Sequence, residues 1–311
     1  MKYVGLHTQI ARNNLKSVLL LVLFPMVIFI LIWLFIYFAL GEPENRIDFT
    51  NQTFLEVIPW ISIAVLLWFG IAFFFNTTMI KHATGSAPLE RKENKRIYNL
   101  VENLCISSGM RTPKINIIDD DSLNAFASGI NTSSFTISLS RGIINKLDDS
   151  ELEAVIAHEL THIRNRDVRL VIISVIFVGI FAFLTEALMR TLRYSSSSRS
   201  KKDGSIILIA MLLAGVGYLL SSIFRFALSK KREFLADAGS AEMTKNPLAL
   251  ASALEKISTD SRIEAVNRHD VAQLFIDNPR EKDLNNHLNS FSTLFATHPP
   301  IEKRIALLRQ F

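Results

Sequence analysis

Apolar residues fall along this chain in two rhythms. Four long runs carry almost no charge: Ser17–Gly41, Val57–Ile80, Leu170–Met189 and Gly204–Phe224. Each matches the roughly 20 residues a helix needs to cross the hydrocarbon core of a bilayer. Glu186 is the one charged residue within them. Pro25 and Pro59 fall where a membrane helix tolerates a kink or an end. Outside these runs the rhythm is that of folded, water-exposed segments. Ile97, Leu100, Val101, Leu104 and Cys105 recur at helical spacing within Leu89–Ser108. Lys114–Ile118 and Ser134–Ser138 read as short strands. Ser150 and Glu153 make a capping-box pattern that opens another helix. Asn246-Pro247 supplies the cap and first turn of a further one. The polar stretch Ser261–Thr297 reads as mobile, and Ser195–Ser198 as a loop tip.

Charge sets the orientation. Lys2, Arg12 and Lys16 precede the first run, and Lys81 closes the second. The loop between those two runs holds Glu42, Glu44, Asp48 and Glu56 against Arg46. By the positive-inside rule, the N-terminus and the segment after Lys81 are expected in the cytoplasm. The loop between the third and fourth runs breaks the rule, with Arg190, Arg193, Arg199, Lys201 and Lys202. Either the rule is overridden there or those runs form a shallow hairpin; their length and apolarity favour spanning. The first run exceeds the h-region of a secretory signal and lacks a clear cleavage site, so it reads as an uncleaved anchor. The division expected is 1–81 for two anchoring helices, 82–169 and 227–311 for two halves of a soluble domain, and 170–226 for a membrane hairpin.

Composition narrows the chemistry. The net charge of +5 is scattered among apolar runs, which points to a lipid surface and not to nucleic acid. A single cysteine, Cys105, rules out an intrachain disulfide and any zinc site built on several cysteines. It reads as a small buried hydrophobe.

The chemistry lies in His158-Glu159-Leu160-Thr161-His162. Residues four apart share one helix face, about 5–6 Å apart at Cβ. Two imidazoles so spaced reach one tetrahedral zinc. Glu159 then points beside the metal, placed to hold water and act as general base. The bland alternative is a solvated face with two ordinary histidines. A catalytic zinc needs a third protein ligand. Glu233 and Asp237 are also four apart, directly after the fourth run. Glu233 is a candidate ligand, and Asp237 a candidate acceptor for the N–H of a ligating histidine. An exposed acidic pair beside Lys230, Lys231 and Arg232 is the alternative. His162 lies eight residues before Leu170, and Glu233 seven after Phe226. At about 1.5 Å per helical residue, the two fall at matched height above one hairpin.

In the order of these elements the chain resembles the HtpX-type membrane zinc metallopeptidases, relatives of the CAAX prenyl endopeptidases and members of the gluzincins. Two early spans, Ala-Val-Ile-Ala-His158-Glu159-Leu-Thr-His162, two later runs and Arg-Glu233-x-x-x-Asp237 carry the likeness across nearly the whole length. The fold implied is mainly α: a four-helix transmembrane region with a cytoplasmic α+β zincin-like catalytic domain carrying a small sheet. The resemblance implies one zinc per chain on His158, His162 and Glu233, with Glu159 as base. Asn124, Ala125 and Phe126 are similar to an edge-strand segment of that family, which implies backbone pairing with substrate; a plain turn is the alternative. His298-Pro299-Pro300 and Arg304 are similar to its His-Pro motif, which implies groups near the developing oxyanion; for Arg304 a cap of the last helix is equally open. Expected partners are the bilayer and protein or peptide substrates, membrane proteins or misfolded ones, in stress-related quality control at the cell membrane. A prenyl-protein endopeptidase is disfavoured because four spans are few. A non-catalytic chaperone or adaptor is disfavoured by the presence of Glu159, and a channel by the scarcity of charge inside the runs. His7, His82, His269 and His287 match nothing.

Overall fold

The computed structural model describes residues 6–39, 44–194, 201–227, 230–259, 276 and 299–311. His298, Ser195–Ser198 and nearly all of Ser261–Thr297 lie outside them. The chain is mainly helical with one small mixed sheet. It divides into two units: 1–15, 75–172 and 225–311 form one, and 16–74 with 173–224 form the other.

The second unit takes its helices from α1 (Leu6–Ala39), α2 (Arg46–Thr84), α6 (Asp167–Tyr194) and α7 (Lys201–Ala227). Two of them, over Ile10–Ala39 and Arg46–Thr84, are long and apolar enough to cross a membrane. A shorter apolar stretch covers Ile206–Leu220. Large apolar side chains point outward here, among them Val22, Trp60, Leu66, Ile71 and Phe74. Such a surface suits hydrocarbon, where a helix satisfies its own backbone. Inside, Phe177 stacks on Phe24 at 4.1 Å between ring centroids and on Phe69 at 5.8 Å. Gly217 admits a close crossing, since a Cβ there would stand 2.3 Å from the Phe181 ring.

The first unit holds the sheet, with strands β1 (Ser86–Pro88), β2 (Lys114–Ile118), β3 (Ala125–Ser128) and β4 (Thr136–Ser140) in the order β1-β2-β4-β3. β2 and β4 run parallel, while β1 and β3 are antiparallel to their neighbours, so β3 is an edge strand. β2 has its expected bounds. β4 begins two residues late because Asn131 captures Ser134: its Oδ1 accepts the Ser134 N–H at 3.0 Å. Helix α3 (Lys95–Ser107) starts at the Asn94 cap, later than expected, and buries Ile97, Val101, Leu104 and Cys105. Burial pushes the Cys105 thiol up to about 11, so it stays protonated and inert.

After the short α4 (Arg141–Lys146) comes α5 (Asp149–Asn165), the helix that carries the histidines. Its capping box is Asp148 with Glu151, not Ser150 with Glu153: Asp148 Oδ1 accepts the Glu151 N–H at 2.9 Å, and Glu151 Oε2 accepts the Asp148 N–H at 3.0 Å. The carboxylate two residues earlier wins, and Ser150 merely donates its hydroxyl to it. Glu151 also reaches Lys256 and Ser252 on α9 (Pro247–Ile257), tying two helices together. Asn246 caps α9 as expected. Helices α8 (Lys230–Thr244) and α10 (Ile301–Leu308) complete the unit.

Candidate metal centre

Small residues decide how closely α8 meets α5. Ser240 donates its hydroxyl to the Ala154 carbonyl at 2.6 Å. Gly239 lies against Thr161, and a Cβ on it would stand 2.4 Å from the Thr161 methyl. With Ala236 and Ala241 also buried, the helices meet nearly backbone to backbone. Glu233 and Asp237 are thereby brought to His158 and His162, and all four are buried. The exposed acidic pair is not what forms.

The donor atoms converge. His162 Nε2 lies 3.2 Å from His158 Nε2. Glu233 places Oε2 3.5 Å from His158 Nε2 and Oε1 3.7 Å from His162 Nε2. Behind the rings, His158 Nδ1 lies 3.0 Å from Asp237 Oδ1, and His162 Nδ1 lies 3.0 Å from Asp167 Oδ1. A carboxylate near each Nδ1 favours a proton there and turns both Nε2 atoms toward one point. Two nitrogens at that separation need a shared proton or a metal ion between them. Donors bound tetrahedrally at about 2.0–2.2 Å stand about 3.3–3.6 Å apart, close to the spacings seen. His158, His162 and Glu233 are therefore the residues that could hold a metal ion.

Charge in the pocket says the same. Burial disfavours the charged form of His158, yet the Asp237 and Glu233 carboxylates outweigh it and pull the imidazole up to about 9. The cluster seeks positive charge. Burial would raise the Asp237 carboxyl, but the Arg304 guanidinium and His158 hold it below the usual carboxylate range. Arg304 donates to Asp237 through Nε at 2.9 Å and Nη2 at 2.7 Å. Glu159 differs: burial lifts its carboxyl above the usual range, and the two histidines offset that only in part. It accepts the Ala127 N–H of β3.

Asn124, Ala125 and Phe126 lie at that edge strand, all buried. Phe126 pairs inward with Ser138, so Ala125 and Ala127 turn their backbone groups away from β4. The Ala125 N–H donates to Asn124 Oδ1 at 3.0 Å, and its carbonyl accepts the Ile276 N–H at 2.9 Å. The Ile276 carbonyl in turn accepts Arg304 Nη1 at 3.0 Å. Arg304 thus sits on Asp237 and Ile276, and Pro300, not a side-chain acceptor, caps α10. His82 is exposed. Two participants escaped the reading of the sequence. Asp167 follows the helix break after His162, where no one-face spacing applies, and Ile276 stands in a stretch with no pattern.

Comparison with known proteins agrees with this chemistry. The family model described as Peptidase family M48 matches residues 91–311. A Protease HtpX homolog of Bacteroides fragilis (strain YCH46) is 59% identical over 100% of both chains. One of Dictyoglomus turgidum is 35% identical over 99% of this chain and 96% of its own. One of Lactobacillus helveticus is 33% identical over 98% and 99%. The likeness drawn from the order of motifs holds: this chain, a membrane metalloendopeptidase, belongs to peptidase family M48.

Proposed function

We propose that the protein is a zinc endopeptidase that cuts membrane or misfolded proteins beside the bilayer. All four long apolar helices span, and the termini and the site face the cytoplasm. The carrying observation is the pair of Nε2 atoms 3.2 Å apart with Glu233 beside them, each ring backed by its own carboxylate. His158, His162 and Glu233 hold one zinc, and Asp237 steadies His158. When bound, zinc supplies Lewis-acid chemistry, polarising a peptide carbonyl and acidifying water. Glu159, its carboxyl lifted by burial, takes the proton of the attacking water and hands it to the leaving amine. Asn124, Ala125 and Phe126 align the substrate backbone along β3, which requires the strand to replace Ile276 at the Ala125 carbonyl or pair beyond it. His298 is the candidate donor to the oxyanion. Arg304 acts through Asp237, ordering the site without touching the scissile bond. The positive N-terminal segment and Lys81 support the cytoplasmic orientation, and the HtpX likeness supports a role in quality control under stress.

The test uses purified full-length protein in detergent with an unfolded model substrate. Wild type is compared with Glu159→Gln and Glu233→Ala. Stoichiometric zinc in wild type and Glu159→Gln, weakened zinc in Glu233→Ala, and cleavage by wild type alone are the expected results. Equal zinc in all three would remove Glu233 from the ligand set. Cleavage by Glu159→Gln within tenfold of wild type would remove Glu159 as base.

A further inference from the structure

The two histidines are supported from different places. Asp237, behind His158, is on α8 and is held by Arg304. Asp167, behind His162, is the first residue of α6. It is 2% exposed, and its Oδ1 makes the 3.0 Å contact with His162 Nδ1. The turn that delivers it is built for the purpose. Helix α5 ends at Asn165, and Arg166 adopts a left-handed conformation at φ 58°, uncommon for a residue with a side chain. That single residue reverses the chain enough for Asp167 to return to a ring five positions earlier. The last carbonyl of α5, on Asn165, accepts the buried Asn13 side-chain N–H at 3.0 Å. The break between α5 and α6 is thus fixed on both sides.

We propose that Asp167 is a positioning residue for the metal: it fixes the Nδ1–H tautomer and the ring plane of His162 so that Nε2 faces the site shared with His158 and Glu233. The inference rests on the zinc reading above. It also makes the first residue of α6 part of the metal centre, while His158 keeps its separate support from Asp237. Partners of this kind typically change metal affinity 10–100-fold.

The experiment is chelator competition for zinc on full-length protein in detergent, with melting of the metal-free form measured alongside. Asp167→Ala is expected to lose about 10–100-fold in zinc affinity. Asp167→Asn, which keeps shape and an acceptor oxygen, is expected to lose less and to melt like wild type without metal. Cobalt substitution adds a spectroscopic readout, in which a reoriented His162 changes the visible d–d bands. Zinc affinity within about twofold of wild type in both variants overturns the proposal. A lower metal-free melting temperature with unchanged affinity in Asp167→Asn also overturns it, because that marks a merely structural role. Absence of zinc binding by wild type would sink the zinc reading itself, an outcome separate from failure at Asp167 alone.

Discussion

Removing the charge of Arg304 tests the electrostatics of the centre most severely. Its side chain is 1% exposed and makes two short hydrogen bonds to Asp237, with Glu233 Oε2 3.7 Å away. Arg304→Met keeps the length and apolar bulk but leaves Asp237 a buried anion with His158 as its remaining partner. Breaking a buried ion pair from one side costs about 3–5 kcal/mol. For a folding unit of this size, each kcal/mol moves the melting temperature about 2–4 °C, so a loss of about 6–20 °C is expected. The assay is thermal unfolding in detergent at one fixed scan rate, without metal and with saturating zinc. Zinc should restore part of the loss, because it returns positive charge to the carboxylates. The pH dependence has a definite sign. In wild type the Asp237 carboxyl is depressed, so its stabilisation is present above the unfolded carboxyl value and lost as pH falls through the lower folded value. In the variant burial dominates and the carboxyl is raised. The gap between the two proteins should be widest near neutrality and close towards acid. A shift under about 2 °C, or a gap that widens in acid, would refute this account of Arg304.

Two further outcomes follow from the same unit. Gly239→Ala gains about 0.5–1 kcal/mol of helix propensity but sets a Cβ 2.4 Å from Thr161; overpacking of about 1–3 kcal/mol wins, so melting should fall and zinc affinity weaken together, as read by unfolding and chelator competition. Glu151→Gln keeps the capping box but loses the ion pair to the half-exposed Lys256, a loss of about 1 kcal/mol after solvent screening. Despite burial, Lys256, Ser252 and the Asp148 N–H hold the Glu151 carboxyl low. The difference between wild type and Glu151→Gln in urea unfolding should therefore be full at pH 7, begin to shrink near the unfolded glutamate value of about 4.3, and be lost as pH falls on through the lower folded value.

Much of this was legible in the residues because local rules governed it. The spacing of His158 and His162, and of Glu233 and Asp237, places each pair on one helix face, and the structure joins the faces. Lys114–Ile118 is a short isoleucine-rich run and forms the expected strand. The capping box moved by two residues because Asp148 and Ser150 compete for one role, which geometry settles and composition does not. Asp167 was hidden because its link to His162 crosses a helix break set by the backbone of Arg166. Arg304 with Ile276, and Gly239 with Thr161, are long-range contacts whose partners have no mutual pattern in the chain. The resemblance drew attention to Arg304 without giving its partner.

The catalytic unit is not continuous in the chain: its stretches 75–172 and 225–311 are separated by residues of the other unit. Synthesis proceeds from the N-terminus, and units fold as they become complete. His158, Glu159 and His162 are therefore made well before Glu233, with the third and fourth apolar runs still to come. Until those runs have been made, the histidine pair has neither Glu233 beside it nor Asp237 behind His158. A growing chain thus cannot assemble the candidate metal centre until its third and fourth apolar runs have been synthesised.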